Sequence, residues 1–95
     1  MELDLQQPKH KPEADPANTT IVWEFNKNAR GEVLRIDCHT WKGKPLVAVR
    51  TWYRDRDSGE LRPGREGFSI HPDKLAELET GIKAAAEEAR KRGWL

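Results

Sequence analysis

With 95 residues the chain has room for one domain and a limited core, so pairing with a second copy would add considerably to its stability. Its apolar share is 36% and its charged share 35%, yet four Trp and several β-branched runs suffice for a core. No run of about 18 apolar residues offers a membrane span, no apolar stretch near residue 1 reads as a secretory leader, and the lone Cys38 excludes an internal disulfide framework and suits a reducing cytoplasm.

The net charge of +1 hides a gradient. Residues 1–20 hold two Lys and four acids, residues 21–71 ten Lys or Arg and seven acids, and residues 72–95 five of each sign. The window Lys42–Arg65 alone carries seven basic residues against three acids. A basic middle beside a neutral C-terminal segment points toward polyanions.

In chain order, residues 1–20 contain Pro8, Pro12 and Pro16 with few large apolar groups, and read as a disordered tail ahead of a domain over 21–95. Ile21–Lys27 is β-branched and aromatic and predicts a strand, closed by a turn over Asn28–Gly31. Glu32–Trp41 alternates, with Leu34, Ile36 and Cys38 on one side and Arg35, Asp37 and His39 on the other. Lys42-Gly43 is a tight hairpin turn into a third strand, Lys44–Asp55, apolar on both faces at its centre and so expected to be well covered. Asp57-Ser58-Gly59 turns into Glu60–Ile70, where Pro63-Gly64 marks a kinked edge strand.

The period then changes. Pro72 suits a first helical position, with His71 or Ser69 as cap, and Leu75, Leu78, Ile82, Ala85, Ala86 and Ala89 form one helical stripe. Gly93 is a natural stop after Lys91 and Arg92. Gly81 costs roughly 1 kcal/mol against Ala inside a helix, which a close approach by another element would explain. The fold class is therefore α+β: four antiparallel strands, then one helix.

Aromatic and basic residues interleave along the strands and hairpin tips: Trp41, Lys42, Lys44, Arg50, Trp52, Tyr53, Arg54, Arg62 and Arg65. Single-stranded nucleic acid needs both kinds, because cations meet phosphates and rings stack on bases at about 1–3 kcal/mol each. Core filling and surface solvation explain the same composition, but Trp41, beside the turn Lys42-Gly43-Lys44, is easier to present than to bury. Arg62-Pro-Gly-Arg-Glu-Gly67 lacks the spacing of a phosphate loop and reads as a bulged edge. Cys38 and His39 face opposite sides of a strand, so no metal site is expected and Cys38 reads as a small buried apolar residue. Turn chemistry accounts for Asp55, Asp57 and Glu60. No catalytic or nucleotide-binding motif is present, so neither an enzyme nor a cofactor is expected.

The stretch Trp41–Leu78, WKGKPLVAVRTWYRDRDSGELRPGREGFSIHPDKLAEL, resembles the transcriptional positive cofactor 4 family, whose domain binds single-stranded DNA. The resemblance lies in an aromatic before Lys-Gly-Lys, an apolar strand, Arg, two aromatics, an acidic Gly turn, Pro-Gly-Arg, then Gly, Ser and a Pro-opened helix. It implies a strongly curved four-stranded antiparallel sheet and a homodimer formed through the helix, for which Leu75, Leu78, Ile82 and Ala85 are the interface candidates. It also implies stacking by Trp41 and Tyr53 and phosphate contacts from Lys42, Lys44, Arg50, Arg62 and Arg65. The chain departs from the pattern at Glu66, where the family has Lys, at Leu34, where it often has a cation, and in an acidic turn one residue longer. The paired aromatics are in swapped order, which leaves Trp52 as an alternative stacking ring. Strict alternation puts Arg50 and Tyr53 on opposite faces, so a bulge or strong twist is required for both to serve one strand.

The function expected is single-stranded DNA binding with little sequence specificity, on melted or unpaired DNA in transcription, replication or repair. A coactivator module that captures transcription or replication proteins, or a single-stranded RNA binder, are the alternatives. The location expected is cytoplasmic, at the nucleoid in a bacterium, or nuclear in a eukaryote.

Overall fold

The computed structural model describes residues 18–95, so the tail expected over 1–20 lies almost wholly outside the described residues. Four strands follow, β1 (Thr20–Asn26), β2 (Val33–Trp41), β3 (Lys44–Arg54) and β4 (Leu61–Ile70). They form one antiparallel sheet in the order β1-β2-β3-β4. A 3-10 turn over Pro72–Lys74 leads into the helix α1 (Leu75–Lys91).

Local chemistry sets each connection. Between β1 and β2 the Asn28 side-chain oxygen accepts from the backbone N–H of Arg30 at 3.0 Å and Glu32 at 3.4 Å. Lys42 and Gly43 both have positive φ, 53° and 77°, as a two-residue hairpin with matching strand twist demands. Between β3 and β4 the Asp55 carboxylate accepts from the N–H groups of Asp57 at 2.8 Å and Ser58 at 3.2 Å. Of the two candidate caps, His71 is the one used: its Nδ1 accepts from Asp73 N–H at 3.3 Å, with Pro72 next to it. Gly93, at φ 77°, ends the helical turn.

The β2–β3 ladder runs without interruption from Val33 opposite Trp52 to Trp41 opposite Lys44. Irregularities sit on the outer strands. One falls at Val22, between Ile21 and Trp23 in β1. The other falls in β4, where Arg50 pairs with Gly67 and Trp52 with Pro63, so three residues of β4 lie opposite Thr51. Extra residues of this kind bend a strand and raise its twist.

The core is thin. Among the described residues the buried apolar ones are Val33, Val47 and Ala48, and no large side chain is fully buried. Of β3, expected to be well covered, Val47, Ala48 and Thr51 are buried, while Leu46 and Val49 are only half-buried. The physical reason is that α1 does not lie on the sheet: it contacts chiefly the 3-10 turn, and none of its residues is buried. The radius of gyration, 14.8 Å, exceeds the roughly 12 Å of a compact chain of this length. Cys38 is exposed, which corrects the expectation that it is buried. Its cross-strand neighbours are Thr20 and Val47, and it stays exposed although Val47 beside it is buried. A methyl group at Gly81 would meet no heavy atom of another element within 4 Å, so among the described residues no element makes the close approach that this glycine suggested.

Candidate nucleic-acid interface

Cross-strand partners share a face, so the register sorts the candidate residues. Arg35, Asp37, His39 and Trp41 of β2 stand opposite Arg50, Ala48, Leu46 and Lys44 of β3, with Trp52 and Arg54 continuing that face. Leu34, Ile36 and Cys38 stand opposite Thr51, Val49 and Val47 on the other face, which Trp23, Phe25, Phe68 and Tyr53 extend.

At the β2–β3 tip, Trp41 is 37% exposed and the Lys42 ammonium sits 4.9 Å from its ring centre. Lys44 is its cross-strand partner and is exposed. Ring and cations therefore converge here, as the local sequence suggested.

The rest of the set lies at the far end of β3. Lys44 and Tyr53 are nine positions apart on a regular strand, about 30 Å at 3.3 Å per residue. Arg50 and Tyr53 do leave β3 on opposite faces, because the bulge falls on β4 and not on β3. The β4 bulge nevertheless links them. The Arg50 guanidinium donates to the carbonyls of Gly64 at 3.0 Å and Arg65 at 3.5 Å. A Cβ on Gly64 would lie 3.7 Å from the Tyr53 ring edge and 2.9 Å from the Thr51 carbonyl, which explains glycine there.

Of the paired aromatics, Tyr53 is the open ring, 43% exposed. Trp52 is half-buried under the Arg35 guanidinium, 4.3 Å from its ring centre, and its indole N–H is buried without an acceptor. Arg35 is in turn held by Glu24 at 2.8 Å. Arg62, beside Tyr53, is not a free cation: its Nε donates to Asp55 at 2.7 Å, and Glu60 lies 3.7 Å away. The pairing raises the Arg62 pKa, and with two backbone N–H donors it holds the Asp55 carboxyl below its ordinary range. Arg65 is exposed, and its side chain has no partner among the described residues.

Sequence reasoning missed Lys27. Its ammonium lies 2.5 Å from Glu66 and donates to Thr51 Oγ1 at 3.0 Å, joining the end of β1 to the bulge of β4 over β3. Three strand spacings would set these edges about 14 Å apart in a flat sheet, so the contact requires the sheet to curl toward the Thr51 side. No local signal could have found a pair 39 positions apart. Among the described residues no group of three His, Cys, Asp or Glu gathers as a metal site, and His39 is engaged by Asp37 at 2.7 Å.

An open antiparallel meander followed by one unpacked helix, with rings and cations strung along its third strand, is the architecture of a small sheet-based nucleic-acid-binding domain. The chain belongs to the transcriptional coactivator p15 (PC4) family, which it matches over residues 28–80. It is similar to a PC4 homologue from Burkholderia pseudomallei seen in two crystal forms. In the orthorhombic form the TM-score is 0.66 at 32% identity, covering 75% of this chain and 93% of that one. In the tetragonal form it is 0.64 at 32% identity, covering 72% and 97%.

Proposed function

We infer that the chain binds single-stranded or melted DNA with little base preference, as a homodimer joined through α1. The observation that carries this is the open sheet itself. Trp41 with Lys42 and Lys44 at one end of β3, and Tyr53 with Arg65 at the other, are presented to solvent with no helix over them, while Arg50 is half-buried with its guanidinium on the β4 bulge. Exposed rings at the two ends of β3, Trp41 on one face and Tyr53 on the other, each with cations beside it, suit unpaired bases, which a duplex keeps stacked within itself. Nothing in the set is a groove-filling helix with bidentate base readers, so discrimination among sequences should be shallow.

Support for the dimer comes from the helix. Leu75 and Ile82 are 37% and 61% exposed, and with Leu78 they line an apolar groove that the chain's own sheet leaves uncovered. An isologous pairing would cover that stripe in both copies at once. Membership of a coactivator family keeps capture of transcription proteins as a second role for the same surface.

Competition among single-stranded DNA, single-stranded RNA and duplex DNA of equal length tests the reading. Single-stranded DNA should win clearly over duplex. Equal affinity for duplex, with Trp41→Ala silent on both, would reduce the sheet to a generic polyanion patch.

A further inference from the structure

The Lys27–Glu66 contact sits on the Thr51 and Tyr53 face, at the bulge that carries Arg65, and occupies a cation there. The side chains are 35% and 74% exposed, so the pair faces water at the rim of the sheet. Exposed ion pairs contribute little to folding, and the bulge that carries Glu66 is already held by Arg50 through the carbonyls of Gly64 and Arg65. Around the pair stand Arg50, bonded to the bulge, the exposed Arg65 next to Glu66, and one further acid, Glu32, near enough to oppose ionisation of Glu66. Lys27 lowers the Glu66 pKa, so the carboxylate is fully charged at neutral pH. An anionic oxygen at hydrogen-bond distance from an ammonium is what a DNA phosphate would itself supply.

We propose that Glu66 is a built-in competitor for the phosphate backbone. It occupies the Lys27 ammonium in the free protein, nucleic acid displaces it, and Lys27 is a further phosphate contact whose contribution Glu66 holds down. The proposal rests on the reading of the sheet as a nucleic-acid surface. Its effect is to lower affinity and ease release without touching the stacking rings.

The test uses the full chain with Glu66→Gln, Lys27→Ala, the double variant, and Glu87→Gln on α1 as an equal change of net charge. Affinity is measured against salt with two probes, an oligothymidylate and inorganic polyphosphate, which has phosphates but no bases. Glu66→Gln should tighten both about two- to fivefold at low salt, the range of an exposed ion pair. It should also steepen the slope of log affinity against log salt by roughly 0.7, one phosphate contact on a single strand. Both gains should vanish when Lys27 is Ala, and Glu87→Gln should reproduce neither. An unchanged slope in Glu66→Gln, or a gain that survives Lys27→Ala, overturns the proposal. So does a purely structural outcome, in which Glu66→Gln and Lys27→Ala each lower the melting temperature and weaken binding together. If the oligothymidylate binds no better than polyphosphate while the Glu66→Gln gain persists on polyphosphate, the competitor stands and the single-strand reading fails.

Discussion

The guanidinium of Arg50 donates to the backbone carbonyl of Gly64 at 3.0 Å, which ties the middle of β3 to the bulge of the edge strand. Arg50→Ala should therefore act twice. It should lower stability by about 1 kcal/mol for the lost hydrogen bonding, and reduce the salt slope of DNA binding by about 0.7. Arg50→Lys keeps the charge but loses the planar guanidinium whose Nη1 group reaches both carbonyls, so it should retain the slope and still lower stability. Urea unfolding beside salt titrations separates the two effects.

Gly64 is set by space. A methyl group there would lie 2.9 Å from the Thr51 carbonyl, a backbone atom that cannot swing away. Gly64→Ala should cost about 1–3 kcal/mol, as overpacking typically does, and backbone amide shifts should concentrate on residues 50–53 and 63–67.

The three central aromatics should divide by environment. Trp41→Ala and Tyr53→Ala remove exposed rings. Each should weaken single-strand binding by about 1–3 kcal/mol with the salt slope nearly unchanged. Trp52→Ala instead empties the place beneath Arg35, so its main effect should be on the urea midpoint. A Trp52 variant that is stable but has lost binding would make Trp52 the stacking ring.

Ile82 is 61% exposed on a helix that its own sheet does not cover. Ile82→Asp should convert a dimer into monomer or unfolded chain in sedimentation runs, and the stability of the unaltered protein should rise with concentration. A monomer at micromolar concentration before any substitution contradicts the helix-mediated dimer.

Acid should loosen the β3–β4 turn. The Asp55 carboxyl is held below the usual aspartate range by Arg62 and by the N–H groups of Asp57 and Ser58. Because its folded pKa is depressed, its contribution is fully present above the unfolded value and is lost as pH falls below about 4 through the folded one. Asp55→Asn should flatten that acid limb of the stability curve, and Arg62 should then become a stronger phosphate contact. A stability profile identical to the parent below about pH 4 would remove Asp55 from this role.

The order of elements was legible because each rests on near neighbours. Alternation along Val33–Trp41, the positive φ at Lys42-Gly43, the Asp55 turn and the His71-Pro72 helix start are all decided within a few residues of chain. The same holds for the tip cluster of Trp41, Lys42 and Lys44, where a two-residue turn leaves the ring little choice but to be exposed. The local pattern also marked Pro63-Gly64 as a break, without indicating what would grip it.

Everything that depends on distant strands was settled by the tertiary structure. Burial of Cys38 could not be judged from its side chain, because exposure depends on whether another layer covers that face, and α1 does not. Tyr53 rather than Trp52 is the open ring because Arg35, two strand positions from Val33 on the neighbouring strand, stacks on Trp52. Arg62 looks like a free cation in sequence and is claimed by Asp55 in space. Lys27 and Glu66 meet because the sheet curls, and curl is a property of strands twisting together that no single segment encodes.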